Sequence, residues 1–258
     1  MIPYNAFAKV NIFLKITGKR GDYHTISSRF VRVNSLYDTL WFEEKNNIEF
    51  EIKGEFNCPI KDNTIYKAYN ALLEATKSTK LITWMQNHRV CVEKRIPSFA
   101  GLGGGSSDAA TFLHMCNDTL DLGLSPYTLA TIGLKVGADI PFFVYGYNSA
   151  NVSGIGEIVE PFIESSLEFE INTPDIAIST PAVYQYYRQH LYAPISEDES
   201  RYLQQTPSIK ILQNMSAIEA NDLYSSALGC YPELHSKDGW FFSGSGSSFF
   251  RLKEHKNG

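Results

Sequence analysis

"RIPSFAGLGGGSSDAATFL", residues 95–113, carries four glycines between a strand-like segment and a helix-like segment. The N-terminus of a helix exposes unpaired N–H groups and a partial positive charge, and glycine lets a phosphate oxygen reach them. The stretch therefore predicts a phosphate-binding loop, with Asp108 capping the first helical turn. A plain glycine-rich connection is the alternative. The candidate binding residues are Gly101, Gly103, Gly104, Gly105, Ser106 and Ser107.

The common phosphate-binding motifs do not fit this loop. A Walker A motif requires a lysine after its last glycine, but Ser106 follows Gly105. In a dinucleotide fingerprint, Ser106 would occupy the position of the third glycine. The HRD and DFG sequences that accompany a protein-kinase glycine loop do not occur in the chain. The loop is therefore predicted to belong to another class of phosphate site.

Composition narrows the functional classes. The chain has 258 residues and a formal net charge of −5, which argues against broad binding to nucleic acid. The N-terminus has no signal-peptide pattern and no segment is long and apolar enough to span a membrane, so we expect a cytoplasmic protein without a membrane partner. The oligomeric state stays open. The cysteines are scattered and predict neither a zinc site nor a disulfide framework: Cys58, Cys91, Cys116 and Cys230.

Hydrophobic periodicity predicts strands and helices in an irregular order, which favours an α+β fold. Residues 26–44 are predicted to form two strands joined at the turn "NSLYD", and residues 47–54 a further strand. Residues 63–77 predict a helix capped by Asn63 or Thr64. Residues 239–252 predict two short strands around a glycine-serine turn. A change in sequence texture places the domain boundary between residues 154 and 155, giving domains 1–154 and 155–258.

Four other features contain candidate residues for a reaction or binding site at the bound phosphate group. Phosphoryl transfer needs a cation and often a carboxylate, and Lys9 and Asp139 each lie in an apolar context. A snorkelling lysine and a capping aspartate are the alternatives. Tyr23 and His24 could stack on a base or decorate the surface. The "SGSGSSFF" loop, residues 243–250, could be a second wall of the phosphate site or a plain hairpin.

Taken together, "AFAKVNIFLKITGKR…YH", "RIPSFAGLGGGSSDAA", "GADIPFF" and "FFSGSGSSFF" resemble the signature blocks of the GHMP kinases over nearly the whole chain. The resemblance implies the GHMP kinase two-domain fold. Its N-terminal half would be similar to ribosomal protein S5 domain 2 and would bind ATP, and its C-terminal half would be a shortened ferredoxin-like domain. It also implies an ATP-dependent kinase that acts on an alcohol group. Mg²⁺ would accompany the nucleotide, and the small-molecule substrate would carry a cytidine diphosphate group.

The resemblance also implies residue roles. Asp139 would take the proton of the acceptor hydroxyl, Lys9 would orient that hydroxyl, and no residue is assigned as a metal ligand. The implied ATP-binding residues, beyond the glycine loop, are Asn63, Ile65 and Lys94. The implied substrate-binding residues are Asn11, Tyr23, His24, Thr180, Pro181, Tyr184, Gly244, Ser245 and Gly246.

Two departures from the family pattern and two alternatives remain. "RGDYH" is one residue shorter than the usual RxDGYH, and the chain ends soon after the last block. Another GHMP kinase, such as homoserine or mevalonate kinase, is one alternative, although those substrates have no base to stack on Tyr23 and Tyr184. A non-catalytic nucleotide-binding protein is the other.

Overall fold

The structure is a computed structural model that describes residues 2–235 and 238–253. Strands and helices are interspersed, which confirms the α+β prediction. By their internal contacts the residues form two compact units. The first unit comprises residues up to Ala8, Leu36–Ile96 and Gly104–Gly146, and the second comprises Lys9–Ser35, Pro97–Gly103 and the residues from Tyr147 onward. The units are interleaved along the chain, and the domain boundary between residues 154 and 155 stays a prediction.

Two long strands open the fold, β1 (Tyr4–Arg20) and β2 (Tyr23–Glu44), and they pair with each other. The prediction of two strands joined at "NSLYD" was wrong, because β2 continues through these residues. Asp38 explains the error: its carboxylate is fully buried and accepts the backbone N–H groups of Arg95 and Ile96 instead of forming a local turn.

In the first unit, residues 39–44 of β2 pair with β4 (His88–Glu93), and β4 pairs with β3 (Ile52–Lys53). The strand predicted over residues 47–54 is reduced to β3, because Asn47 accepts the backbone N–H of Glu49 and turns the chain there. Five helices share one apolar core with these strands: α1 (Thr64–Thr76), α2 (Thr79–Asn87), α3 (Gly104–Leu120), α4 (Pro126–Leu134) and α5 (Ile140–Tyr145).

The core of the first unit explains how its helices are held. Ile65 and Leu72 of α1 and Phe112 and Leu113 of α3 are fully buried in one apolar cluster. Burying one such side chain contributes about 1.5–3 kcal/mol. The Asn63 side chain caps α1 by accepting the backbone N–H of Ile65, which confirms the predicted cap. The start of α3 is therefore fixed next to α1 by packing along their length.

In the second unit, residues 26–31 of β2 pair with β5 (Ser149–Gly154), which pairs with β6 (Ile158–Pro161). A second sheet has the order β7 (Phe169–Asn172), β9 (Phe249–Leu252), β8 (Phe241–Phe242), which confirms the predicted strands around the glycine-serine turn. The remaining helices are α6 (Thr180–Tyr186) with a π turn at Tyr187–Leu191, α7 (Glu197–Gln205), α8 (Ser208–Asn214), α9 (Ala217–Ala220) and α10 (Tyr224–Cys230). Within the described ranges, no helix combines the length and apolar character needed to span a membrane.

Candidate active site

The first part of the glycine-rich loop belongs to the second unit, and there glycine is required by the backbone itself. Gly101 and Gly103 have φ of 72° and 73°, a region that residues with a Cβ avoid. A Cβ on Gly101 would lie 2.1 Å from the carbonyl oxygen of Ser243. Side chains are therefore excluded at Gly101 by close packing of one backbone segment on another.

The second bare loop, Ser243–Ser248, is the segment that packs there. The Ser243 hydroxyl donates to the carbonyl of Gly101 at 2.9 Å, and a Cβ on Gly244 would lie 3.2 Å from the same oxygen. Asn221 holds the loop from behind by donating to the carbonyls of Phe242 and Gly244 at 3.0 and 2.9 Å. The two glycine-rich segments thus form one wall, which a plain hairpin turn does not require.

Lys9 lies against this wall. Its ammonium donates to the Asn11 Oδ1 at 2.7 Å and to the carbonyl of Gly101 at 3.0 Å, and it lies 4.7 Å from the centre of the Phe30 ring. Only 3% of Lys9 is exposed, so the snorkelling alternative was wrong. Gly244 closes the same corner, because a Cβ there would lie 3.5 Å from the Asn11 Oδ1.

The second part of the glycine-rich loop belongs to the first unit and opens α3. Helix α3 is 17 residues long and begins at Gly104, so its unpaired N–H groups lie at Gly104–Ser107. Gly105 is exposed, and its carbonyl accepts the Thr64 hydroxyl at 2.6 Å. Ser106 lies beside the 137–139 turn, since a Cβ on Gly137 would be 3.7 Å from its hydroxyl, whereas Ser107 is buried.

Lys94 lies beside Gly104 and is shared by two buried carboxylates. A Cβ on Gly104 would lie 3.6 Å from the Lys94 Nζ. The Nζ donates to Asp108 at 2.7 Å and also to Asp38. The prediction that Asp108 caps the first turn of α3 was wrong, because the lysine takes one carboxylate oxygen and the other has no hydrogen-bond partner within the described ranges.

The charges of this cluster shift the titration of its members. Burial, together with the neighbouring Asp38 charge, outweighs Lys94 and raises the pKa of Asp108 to about 7. Burial opposes the charge on Lys94, but Asp108 and Asp38 outweigh burial and raise the pKa of Lys94 above its ordinary value. The lysine therefore stays charged at neutral pH, next to a carboxyl group that titrates there.

The other candidates of the first unit are placed as follows. Asp139 is half-buried at the N-terminus of α5, and its side chain makes no capping hydrogen bond, so the capping alternative was wrong. Asn63 is 5% exposed and is used as the cap of α1. The Ile65 side chain is fully buried in the core, so an adenosine would reach only its backbone. The roles of these residues toward ATP stay predictions.

An aromatic cluster forms the other candidate region of the second unit. The His24 ring stacks on Tyr184 with centroids 5.3 Å apart and planes at 29°, while Tyr23 is 66% exposed. The His24 Nε2 is buried and has no hydrogen-bond partner among the residues that the structure describes. Thr180 and Pro181 begin α6 next to this region, and the Thr180 hydroxyl is 2.6 Å from that of Ser245.

The surroundings of His24 keep its imidazole neutral. Burial, followed by the charges of Arg188 and Lys19, lowers the pKa of His24 below its ordinary value. A neutral imidazole has one N–H donor and one acceptor nitrogen, so its ring can form a hydrogen bond with either an acceptor or a donor of a ligand. The arrangement offers an aromatic face and an unused polar atom side by side.

Comparison with known proteins identifies the family of the chain. The model of the GHMP kinases N terminal domain matches residues 63–147. A protein of Sulfurimonas denitrificans named 4-diphosphocytidyl-2-C-methyl-D-erythritol kinase is 58% identical, with 98% of each chain covered. A Helicobacter pylori protein of the same name is 41% identical over 99% of this chain and 96% of its own. The chain belongs to the 4-diphosphocytidyl-2-C-methyl-D-erythritol kinase family.

Solved structures agree with this family and its fold. A crystal structure of 4-(cytidine 5'-diphospho)-2C-methyl-D-erythritol kinase has a TM-score of 0.73 at 29% identity, with 98% of this chain and 90% of that chain covered. Methanococcus jannaschii mevalonate kinase has a TM-score of 0.63 at 11% identity, with the same coverage, and shows the shared fold alone. The predicted GHMP kinase fold is confirmed.

Sequence reasoning about this 4-diphosphocytidyl-2-C-methyl-D-erythritol kinase family member missed three residues. Asp38 was interpreted as a turn residue, although it pairs with Lys94. Phe30, under the Lys9 ammonium, was treated as an ordinary strand residue. Asn221, which anchors the second glycine loop, was not among the candidate residues. In each case the partner is distant in sequence, and no local pattern identifies it.

Proposed function

We propose that this chain transfers the γ-phosphoryl group of ATP to the 2-hydroxyl of 4-diphosphocytidyl-2-C-methyl-D-erythritol, in the non-mevalonate route to isoprenoid precursors. Membership of the kinase family supports the reaction class. The observation that carries the substrate assignment is the buried, unpartnered Nε2 of His24 beside the Tyr184 ring. A cytosine would stack its ring on Tyr184, and its polar edge would form a hydrogen bond with the His24 Nε2.

Two kinds of contact contribute to the proposed recognition of cytosine: stacking on the ring face and hydrogen bonds to the ring edge. Stacking on an aromatic ring contributes about 1–3 kcal/mol per base but does not discriminate between bases. In the proposal Tyr184 and Tyr23 supply the stacking and His24 supplies the discrimination. Thr180 and Pro181 line the same pocket.

The nucleotide would use the start of α3. The N–H groups at Gly104–Ser107 meet a phosphate as helix N-termini do, and the absence of side chains at Gly104 and Gly105 admits it. Mg²⁺ bound to the nucleotide would neutralise phosphate charge. Within residues 2–235 and 238–253, no group of three His, Cys, Asp or Glu side chains could hold a metal ion.

Three side chains have roles in the proposed transfer step: Asp139, Lys9 and Asn11. The Asp139 carboxylate accepts the proton of the 2-hydroxyl as the hydroxyl oxygen forms its bond to the γ-phosphorus, and the bond to the bridging oxygen breaks to release ADP. Lys9 orients the acceptor oxygen and stabilises the charge that develops during the transfer. Asn11 holds the Lys9 ammonium and contacts the substrate.

We place the enzyme in the cytoplasm, where its four cysteines, free in the structure, would stay reduced. Burial raises the pKa of the Cys91 thiol to about 11, which keeps that thiol unreactive at neutral pH. The oligomeric state stays open.

A coupled assay of ADP release tests the function directly. Purified protein is given ATP, Mg²⁺ and one of three acceptors: the cytidylyl substrate, homoserine or mevalonate. We expect release of ADP only with the cytidylyl substrate, and identification of the 2-phosphate by NMR. Release with homoserine or mevalonate instead would overturn the substrate assignment, and nucleotide binding without any release would favour a non-catalytic protein.

The base assignment has its own test. Asp139→Asn keeps the size of the side chain but removes its basicity, so we expect kcat to fall by roughly 10²–10⁴-fold. Binding of ATP, measured by calorimetry, is expected to stay nearly unchanged. Turnover equal to that of the wild type would remove Asp139 from the role of base.

The cytosine role of His24 is tested by a difference between two Michaelis constants. His24→Ala removes the polar edge, and the loss of one hydrogen bond to the base is expected to raise KM for the cytidylyl substrate about tenfold. The KM for ATP is expected to change little, because ATP binds elsewhere in the proposal. Equal changes in both constants would count against the assignment.

A further inference from the structure

Ser28 is a buried hydroxyl that joins the strand carrying Lys9 to the next strand. It lies on β2 and is fully buried. Its hydroxyl donates to the carbonyl of Phe13 and accepts the Asn11 Nδ2 at 3.0 Å. Asn11 in turn accepts the Lys9 ammonium on its Oδ1 at 2.7 Å. Four groups on β1 and β2 thus form one continuous hydrogen-bond chain.

The polarity of this chain is fixed by the chemistry of its ends. A backbone carbonyl only accepts, so the Ser28 proton must point to Phe13, and an ammonium only donates, so Asn11 must turn its oxygen to Lys9. The Asn11 amide nitrogen then faces a Ser28 oxygen that can only accept, because its proton is already donated to Phe13. Rotating the amide by 180° would place N–H against N–H at Lys9 and oxygen against an oxygen whose proton is already used. Ser28 therefore selects the amide orientation that receives the lysine.

We propose that Ser28 is a positioning residue for phosphoryl transfer, which fixes the Lys9 ammonium through the Asn11 amide. The inference rests on the proposed function, because it assigns Ser28 a part in the work of Lys9. Ser28 itself is two hydrogen bonds from Lys9 and does not touch a substrate. Its removal would leave Asn11 free to rotate, and the ammonium would lose a fixed acceptor without losing its charge.

The neighbouring Ser27 offers a matched control. Its side chain is 1% exposed, and its hydroxyl accepts the Gln204 side chain at 3.1 Å, so it is buried and hydrogen-bonded like that of Ser28. Successive residues of a strand point to opposite faces, so Ser27 lies on the face away from Asn11. A Ser27→Ala variant loses a buried hydroxyl from the same strand but leaves the hydrogen bonds from Ser28 through Asn11 to Lys9 intact.

The experiment measures kcat and both KM values for the wild type, Ser28→Ala, Ser28→Thr, Ser27→Ala, Asn11→Ala and the double variant S28A/N11A. We expect Ser28→Ala to lower kcat about tenfold, the effect of one misplaced hydrogen bond, with both KM values little changed. Ser28→Thr keeps the hydroxyl and is expected to restore kcat, and Ser27→Ala is expected to match the wild type. The double variant is expected to be no slower than Asn11→Ala, because Ser28 acts only through Asn11.

Several outcomes would overturn the proposal. Additive losses in the double variant would show that Ser28 acts independently of Asn11. Equal losses in Ser27→Ala and Ser28→Ala would show that any buried hydroxyl of β2 matters. Thermal melting checks the fold of each variant, and if Ser28→Ala does not fold, Ser28→Cys and Ser28→Thr decide: the proposal predicts slow turnover for the first and normal turnover for the second. The wild-type assay decides the proposed function separately, since the variants are compared on whichever acceptor the wild type uses.

Discussion

Lys9 and Lys94 are two lysines withdrawn from water at the two ends of the same glycine-rich loop, and their surroundings differ. In the second unit, Lys9 meets the Asn11 amide oxygen, the carbonyl of Gly101 and the Phe30 ring. In the first unit, Lys94 meets two carboxylates, of Asp38 and Asp108, beside Gly104. At one end of the loop a lysine donates to two neutral oxygens, the Asn11 Oδ1 and the carbonyl of Gly101, and at the other end a lysine donates to two carboxylates.

The difference indicates how each lysine is used. Neutral oxygens orient an ammonium without cancelling its charge, which suits the role proposed for Lys9 toward the acceptor hydroxyl. Carboxylates cancel the charge, and their own desolvation is tolerated only while the lysine is present. We therefore expect the loss of Lys9 to appear mainly in catalysis and the loss of Lys94 mainly in stability.

The largest expected effect is on turnover. Lys9→Met removes the charge with little change of length, and we expect kcat to fall at least about 10³-fold, the effect of losing a positioned cation in phosphoryl transfer. The free energy of unfolding, measured in urea, is expected to fall by only about 1–2 kcal/mol, because the Asn11 Oδ1 and the carbonyl of Gly101 are neutral acceptors.

The control for Lys9 lies on the same strand. Lys15 forms an ion pair with Asp222, and Lys15→Met is expected to leave kcat near the wild-type value. A similar loss of kcat in both variants would mean that the charge of β1 in general, and not the position of Lys9, supports turnover.

The second effect is on stability. Lys94→Met leaves two buried carboxylates without their cation, and removing one partner of a buried ion pair typically costs about 3 kcal/mol or more. We expect urea denaturation at neutral pH to show a loss of about 3 kcal/mol. The KM for ATP is expected to rise as well, since Gly104 lies against this lysine.

An exposed lysine of the same unit gives the reference for Lys94. Lys135 is half-exposed and lies 3.9 Å from Glu74, and Lys135→Met is expected to cost less than about 1 kcal/mol. If Lys94→Met were as mild as Lys135→Met, the carboxylates would be stabilised by something other than the lysine, and the contrast with Lys9 would fail.

The contrast between Lys9 and Lys94 also explains which structural features could be predicted from the sequence. Glycine spacing, helix periodicity and the Asn63 cap depend on residues close together in the chain, and the loop, α1 and α3 were predicted from them. The strand pattern around Lys9 likewise placed it on β1. Its acceptor Asn11 is a near neighbour on that strand, and the family resemblance singled out both residues.

The cluster around Lys94 could not be predicted in this way. Asp38 lies 56 residues from Lys94, and its sequence context of Asn, Ser and Asp is typical of a turn. Asp108 lies at the start of a helix, where an aspartate usually serves as a cap. In both cases the local sequence preference was overridden by the Lys94 ammonium. Asp38 also accepts backbone N–H groups that come close to it only when the chain folds.

The smallest expected effect is the pH dependence of this cluster. The pKa of Asp108 is raised from 3.8 to about 7 in the folded protein, so between these values the native state holds a proton that the unfolded state has released. The contribution of Asp108 is therefore fully present below about pH 4 and is lost as the pH rises through about 7. Asp108→Asn cannot release a proton, and its stability is expected to fall less than that of the wild type over this range. The expected difference is about 1–2 kcal/mol, because Lys94 and Asp38 share the titration.

Urea midpoints of the two proteins from about pH 4 to about pH 8 measure this difference. The exposed Asp62, with Asp62→Asn, serves as the reference, and its curve is expected to run parallel to that of the wild type. A parallel curve for Asp108→Asn would mean that Asp108 stays ionised in the folded protein throughout. Lys94 would then compensate both carboxylates fully, and the charged end of the loop would have no titratable group at neutral pH. A converging curve at low pH would instead place a shared proton at the Lys94 end of the glycine-rich loop.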